Sequence, residues 1–455
     1  MPLGKGLRAA WVIAGALALA GGCSTGSDEI SDRDRQTGNP GGAGGSAGGG
    51  GTIDGGGGGG AAGNPGGTGG GGDAGAGGGG GTAGAGGGGG SGGPPPDIHT
   101  GEHLRFWRGA NGAPGPVRSI TADRGGNVWA ANEAGVLLQR AGGDTWEFFD
   151  RGDGLAPYDT MAVAGGRDGQ VWVGYRGLFP DNNYFDDPPE IAKSGDVDLI
   201  ELQGAGIRKV RHYDISTPAG VEPAYPDGRD LLRTCYRIVP VLEGRWAGDV
   251  WFGCNHGVAM WNATFNEVQE HQHTAIWRDG TDWTGDFRGI AITPSGNVWM
   301  AGAHRGGLLR YDDEGGQFWA AFQPVVDIWP DDVALDPKGD DWTMALADDG
   351  AGGMWAGSFG NGLAHVAADG TWRWYTTADG LPDNRVYDLA MDTDGSLWVA
   401  TDAGVVRMQN GQFSNTLNPL TGLPGTPLSL HVDKGATPRR VLIGTSAGAG
   451  VYDGP

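Results

Sequence analysis

A tryptophan-centred fragment returns along this chain at a nearly fixed interval. It reads GNVWAANEAG (126–135), GQVWVGYRG (169–177), GDVWFGCNHG (248–257), GNVWMAGAHRGG (296–307), GGMWAGSFGNG (352–362) and GSLWVATDAG (395–404). A seventh copy, RRVLIGTSAG (439–448), has Leu442 in place of the Trp. Successive centres lie 43, 79, 48, 56, 43 and 44 residues apart, so the base period is near 43. A period of that length marks a chain built from one supersecondary unit used repeatedly.

Each unit breaks into four short β-like runs. In the sixth they are VYDLAM, SLWVAT, GVVRM and QFSNT, separated by Gly, Asp or Asn turns. Four strands per unit, repeated seven times with no helical period, predict an all-β fold: a seven-bladed β-propeller of four-stranded blades. The last unit stops after its third strand, at AGVYDGP. A surplus run before the first unit, EHLRFWRG (102–109), resembles the fourth strands DTWEFF and GTWRWYTT. Glu102–Arg108 is therefore expected to complete the seventh blade from the other end of the chain and remove an open sheet edge.

The 95 glycines are not spread evenly. From Gly38 to Gly93 the sequence is mostly Gly with Ala, Ser, Thr, Asn and Pro, too poor in apolar side chains to offset the entropy of ordering. Residues 23–97 are thus expected to be a disordered tether, and 98–455 the propeller. Residues 1–22 read as an export signal, with Lys5 and Arg8 ahead of an apolar stretch, Ala9 to Leu19, too short to span a bilayer. LAGGCS (19–24) resembles the bacterial lipobox, and the resemblance implies a diacylated Cys23 as the mature N-terminus. Ser24 behind it implies sorting to the outer membrane, facing either the periplasm or the cell surface. The net charge of −23 argues against nucleic acid or an anionic membrane surface as a partner. The expected membrane contact is the lipid alone, and the propeller is expected to be monomeric.

The stretch GLPDNRVYDLAMDTDGSLWVATDAGVVRM (380–408) resembles the two-component regulator propeller repeat: a Gly-Leu-Pro turn, a strand, an Asp-x-x-Gly hairpin and a Trp-centred strand. GLAPYDTMAV (154–163) and GLPGTPLSLHV (422–432) echo its first half. In that family such propellers are mostly periplasmic sensor regions fused to histidine kinases. No kinase, membrane-spanning or DNA-binding segment follows in this sequence, so the signalling role is not carried over.

The departures from the minimal unit point to a binding face. With strands a to d running outwards, the b–c and d–a loops share one face of a propeller, and the a–b and c–d turns share the other. Long insertions fall at 176–196 (b–c, blade two), 216–230 (d–a, blade two), 274–286 (d–a, blade three) and 325–340 (d–a, blade four), all on the first face. Long loops on a rigid scaffold are where binding residues gather. These carry Tyr184, Phe185, Tyr225, Trp277, Trp283 and Trp329 among Asp, Asn and Arg, a mixture suited to a glycan, a peptide or a partner protein. Short b–c loops add His256, His304, Arg305 and Asn361. Arg118, Arg233, Arg288 and Tyr387, entering the inner strands, are expected to line the channel. The arginines are expected to pair with Asp159, Asp286 or Asp388, because a buried guanidinium needs a partner.

No hydrolase elbow, zinc-protease helix or phosphate loop is present, and DTDG (392–395) lacks the rest of a calcium loop. His271 and His273 share one face of an outer strand and read as exposed polar residues. No metal, cofactor or catalytic residue is expected. Cys235 and Cys254 face each other across the a–b hairpin of blade three, and an oxidising compartment predicts a disulfide between them. The expected function is non-catalytic binding. Two alternatives remain: a propeller enzyme, such as a streptogramin-lyase-like or glycan lyase or hydrolase with His256 and His304 as bases, and a structural docking protein of the cell envelope.

Overall fold

A computed structural model describes residues 98–100, 103–108, 115–156, 159–177, 196–215, 234–255, 257–264, 266–269, 285–293, 295–303, 308–311, 322–325 and 343–455. Among them the only helical segments are single 3-10 turns. Six four-stranded antiparallel sheets follow one another along the chain and are numbered here as blades one to six: 119–149, 160–213, 235–269, 285–325, 343–375 and 386–417. In each, neighbouring strands in the sheet are consecutive in sequence.

The remaining sheet is composite. Pro427–Asp433, Arg440–Thr445 and Gly448–Tyr452 supply three strands from the end of the chain. Leu104–Arg108 adds the fourth, antiparallel to Gly448–Tyr452, with Leu104 opposite Tyr452 and Arg108 opposite Gly448. The surplus run thus closes the last sheet as expected. Ile98–Thr100 adds a fifth strand outside it, which the repeat pattern did not anticipate.

The apolar core lies between the sheets. Each repeat centre sits in a different buried cluster: Trp129 between blades one and two, Trp172 between two and three, and so on to Trp398 between blade six and the composite sheet. Leu442, the degenerate centre, joins Trp107 and Val451 against Val117, Ile120 and Val128 of blade one, and this cluster closes the circle.

Two local devices make the repeat work. In blade one, Asp123 accepts hydrogen bonds from Gly125 N (2.9 Å), Asn127 N (3.1 Å) and the Trp129 indole (2.9 Å), and one from Gly169 N of blade two (3.1 Å). It closes the a–b hairpin, orients the tryptophan and ties two blades together. Asp392 does the same in blade six, accepting from Trp398 Nε1 (2.9 Å) and pairing with Arg439 Nε of the composite sheet (2.7 Å). In blade five Asp349 instead meets His365 Nε2 at 2.9 Å, and that imidazole stacks on Trp355 at 4.1 Å.

The second device is a small residue two places after each centre. A Cβ on Gly253 would lie 2.4 Å from the Phe287 carbonyl oxygen of blade four. One on Gly444 would lie 2.7 Å from the Val117 carbonyl oxygen of blade one. The sheets approach so closely at this level that any side chain larger than these would push them apart.

Candidate functional site

The inner strands break register once, near their first residues. The shifts lie between Thr160 and Ala162, Cys235 and Arg237, Gly285 and Gly289, Thr343 and Ala345, Val386 and Asp388, and Pro427 and Ser429. A bulge takes one residue out of the ladder and re-aims its side chain. The residues concerned are Met161, Tyr236, Arg288, Met344, Tyr387 and Leu428, and Arg118 holds the matching place just ahead of Ser119 in blade one. All are half-buried. Neighbouring members meet at two places. Arg118 Nη1 donates to Met161 Sδ at 3.1 Å, and the Arg288 guanidinium sits 3.9 Å over the Tyr236 ring. Tyr387 packs edge-on to Phe359 at 5.7 Å and donates to Asp402 at 3.3 Å. Burial, and then the Asp402 carboxylate, push the Tyr387 hydroxyl up to about 12, so it stays a donor at neutral pH.

Three expected site residues, Arg118, Arg288 and Tyr387, therefore belong to one ring at the end of the channel where the d–a loops enter. Asn361 lies in the b–c loop of blade five, its backbone N–H held by Ser358 Oγ at 3.1 Å. Tyr184, Phe185, Tyr225, Arg233, Trp277, Trp283 and Trp329 lie outside the described residues, as do His256, His304, Arg305, His271, His273 and Cys23.

Two expectations are corrected. Arg118 is paired with none of the expected aspartates, and Asp388 is taken by an arginine outside the expected set. Asp388 of blade six is paired with Arg237 of blade three (3.1 Å), while Arg118 turns to Met161 and to Glu133 at 3.4 Å. The second correction concerns Cys235 and Cys254. They are opposite one another in register and buried, yet both are free thiols. The register shift that follows Cys235 leaves its Sγ 3.6 Å from the Arg237 carbonyl oxygen. Burial, and then the neighbouring Cys235 thiol, raise the Cys254 thiol well above its ordinary range, so it is not a reactive thiolate.

Sequence reading missed two further groupings. At the loop-bearing end of blade two, the fully buried Asp198 accepts from Tyr175 Oη (3.0 Å) and meets Lys209 Nζ (2.8 Å) and His212 Nδ1 (2.8 Å). His212 Nε2 reaches Asp196 at 3.3 Å. Hydrogen bonds to Asp196 and then Asp198 raise the imidazole to about 10, so it is a cation bridging two carboxylates. The second grouping is a cavity of about 880 Å³ that occupies the channel and opens among the a–b turns, on the face opposite the long loops. Arg237, Asp388 and His431 lie inside it. Burial, opposed by Asp433 but reinforced by Arg237, brings His431 down to about 4, so it is neutral at physiological pH. No local motif signals either grouping, because each assembles residues from separate strands.

Among the described residues no group of three or more His, Cys, Asp or Glu is placed to hold a metal ion. The carboxylates of DTDG are engaged by the protein itself: Asp392 as above, and Asp394 by Ser396 and Arg407.

The family described as two component regulator propeller matches residues 380–403. No curated protein matches the chain in sequence. Among solved structures, the extracellular domain of a hybrid two-component system from B. thetaiotaomicron is similar at 16% identity and TM-score 0.53, with 79% of this chain and 41% of that chain covered. The extracellular domain of a one-component system from the same organism gives 13% identity and TM-score 0.52, with 77% and 40% covered. This chain thus spans about two fifths of the length of those two. Virginiamycin B lyase from Staphylococcus aureus is similar at 14% identity and TM-score 0.50, with 77% of this chain and 98% of that chain covered. At such identities the likeness is one of fold. The stretch 380–403 is a two-component regulator propeller repeat, and the chain around it has the propeller fold found in extracellular domains of such sensors.

Proposed function

We propose that this chain is a lipid-anchored, extracytoplasmic propeller of seven blades, the composite sheet counted as the seventh, that binds a ligand or partner protein and catalyses no reaction. The binding face is the one that carries the b–c and d–a loops of blades two to four. The observation that carries this reading is the bulge ring beneath that face. Successive inner strands break register at the same level and turn a large side chain out of the ladder; the side chains so gathered include Arg288 and two tyrosines, and Arg118 joins them from the matching place in blade one. A packing role alone does not call for bulges repeated around a channel, whereas bulges are common where a strand must aim a side chain at a site. The fold shared with extracellular sensor domains agrees with a receptor-like role.

The test is a thermal-shift screen of the purified protein against glycans, peptides and divalent metals, followed by the hits on Arg288→Ala and Tyr387→Ala. A ligand that raises the unfolding temperature of the parent but of neither variant supports the reading. A metal-dependent shift would move it towards an enzyme, and silence across the whole screen towards docking of a protein partner. Labelled fatty acid should enter the parent and not Cys23→Ala.

A further inference from the structure

The channel cavity has a donor and acceptor inventory that is one-sided. Its interior carboxylates are already engaged by the protein, and the fourth, Asp453, is half-exposed at the rim with His103 Nδ1 at 3.6 Å. Asp123 holds four backbone and side-chain donors of its own blade and one from blade two. Asp388 accepts from Leu389 N (3.0 Å), from Leu430 N (2.8 Å) and from Arg237 Nη1. Asp433 accepts from Gly435 N (3.2 Å) and pairs with Arg440 (2.5 Å). The cations are not used up in the same way. Arg237 commits only Nη1, one end of a guanidinium that offers five N–H groups. Arg124 and Lys434, exposed on adjacent turns at the opening, make no side-chain hydrogen bond or close ion pair among the described residues, although Lys434 acts on Asp348 through its charge. A pocket with spare donors and few spare acceptors calls for a ligand rich in acceptors. In a chain of net charge −23 the lining carries five cationic side chains, Arg105, Arg124, Arg237, Lys434 and Arg440, against four carboxylates.

We propose that this cavity binds a small organic carboxylate, its carboxylate on Arg237 and its body against Ala162, Ala164 and Val239. One interior arginine suits one negative charge, and a guanidinium recognises a carboxylate through paired N–H groups. The walls named are apolar, so the rest of the ligand is uncharged. Neutral His431 adds one donor and one acceptor for a polar substituent on that body. Arg124 and Lys434 draw the anion to the opening without holding it. None of Arg118, Arg288 or Tyr387 lines this cavity, so the site stands apart from the loop-bearing face and does not depend on the function proposed for that face.

Titration calorimetry on the full chain at low ionic strength tests this, with the monocarboxylates benzoate and butyrate as probes and benzamide as the uncharged match. Benzoate should bind, benzamide should not, and Arg237→Gln should weaken benzoate at least about tenfold, the worth of one charge-assisted hydrogen bond. Arg237→Gln leaves Asp388 its two backbone donors; its fold is checked by circular dichroism. The exposed double variant Arg124→Gln, Lys434→Gln removes only rim charge. It should weaken binding roughly threefold and flatten its salt dependence. Arg288→Ala should bind benzoate as the parent does. Equal binding of benzamide, undiminished binding by Arg237→Gln, or no heat with either carboxylate overturns the proposal.

Discussion

At the scale of single residues the fold rests on a carboxylate latch. Asp392 closes a hairpin, accepts the indole N–H of Trp398 and holds Arg439 of the next sheet, and its own side chain is fully enclosed. Removing it strands the buried indole N–H of Trp398 and takes the carboxylate from the half-buried Arg439, which keeps only the Gly454 carbonyl oxygen, and an orphaned buried donor costs more than the bond it made. Asp392→Ala should therefore destabilise the protein by about 2–4 kcal/mol, read by urea denaturation. Trp398→Phe, which keeps the ring and drops the N–H, should cost clearly less. Equal losses would mean that the latch acts through packing alone.

At the scale of the element, the outermost strand of blade two, Gly206–Tyr213, is mostly exposed and carries few apolar anchors. Its ion pairs hold it: Arg208 with Glu201, Lys209 with Asp198, and His212 with Asp196 and Asp198. Because His212 is raised from 6.5 to about 10, its contribution is complete below about pH 6.5 and is lost as the pH climbs through 10. Comparing the parent with His212→Gln, the gap in unfolding temperature should be widest below pH 6.5 and close by about pH 10. A gap independent of pH would assign His212 a packing role. The imidazole is half exposed, so the effect is modest in size.

The same scale shows what the sequence could and could not disclose. The Trp period was legible because every blade solves the same packing problem with the same residues, so the solution repeats at a fixed interval. The closing strand Leu104–Arg108 was legible for the same reason, as a fourth strand without its first three. The bulge ring was only half legible. Arg118, Arg288 and Tyr387 stand at recognisable places, but Met161, Met344 and Leu428 look like ordinary core residues until the register is known. The Arg237–Asp388 pair joins residues 151 apart across the channel, and nothing near either one announces the other. Cys235 and Cys254 face each other across the hairpin without being bonded, because an opposed register does not by itself set the separation of two sulfurs.

At the scale of the whole molecule, stability depends on a circle closed by the chain's two ends. Trp107 is fully buried between the composite sheet and blade one, and its indole donates to the Asp144 carbonyl oxygen at 3.0 Å. Trp107→Ala should cost about 3–5 kcal/mol, as for any large core truncation, and should also open the neighbouring sheet to hydrogen exchange. The half-exposed Trp374→Ala serves as control. If Trp107→Ala costs no more than the control, closure is not what secures the circle.

That closure has a mechanical side. A pull applied at Ile98 reaches the propeller through a hairpin, Ile98–Thr100 on Leu104–Arg108, and then through the pairing of Leu104–Arg108 with Gly448–Tyr452. Both pairings are antiparallel and lie in series at the sheet edge, so a pull directed away from that edge takes them pair by pair, as a zip does. The first rupture opens one seam and leaves the six sheets of consecutive strands with their hydrogen bonds intact. Released, the same short strand can return to its edge, so a tug on the N-terminal side would be absorbed at the seam before it reached the channel.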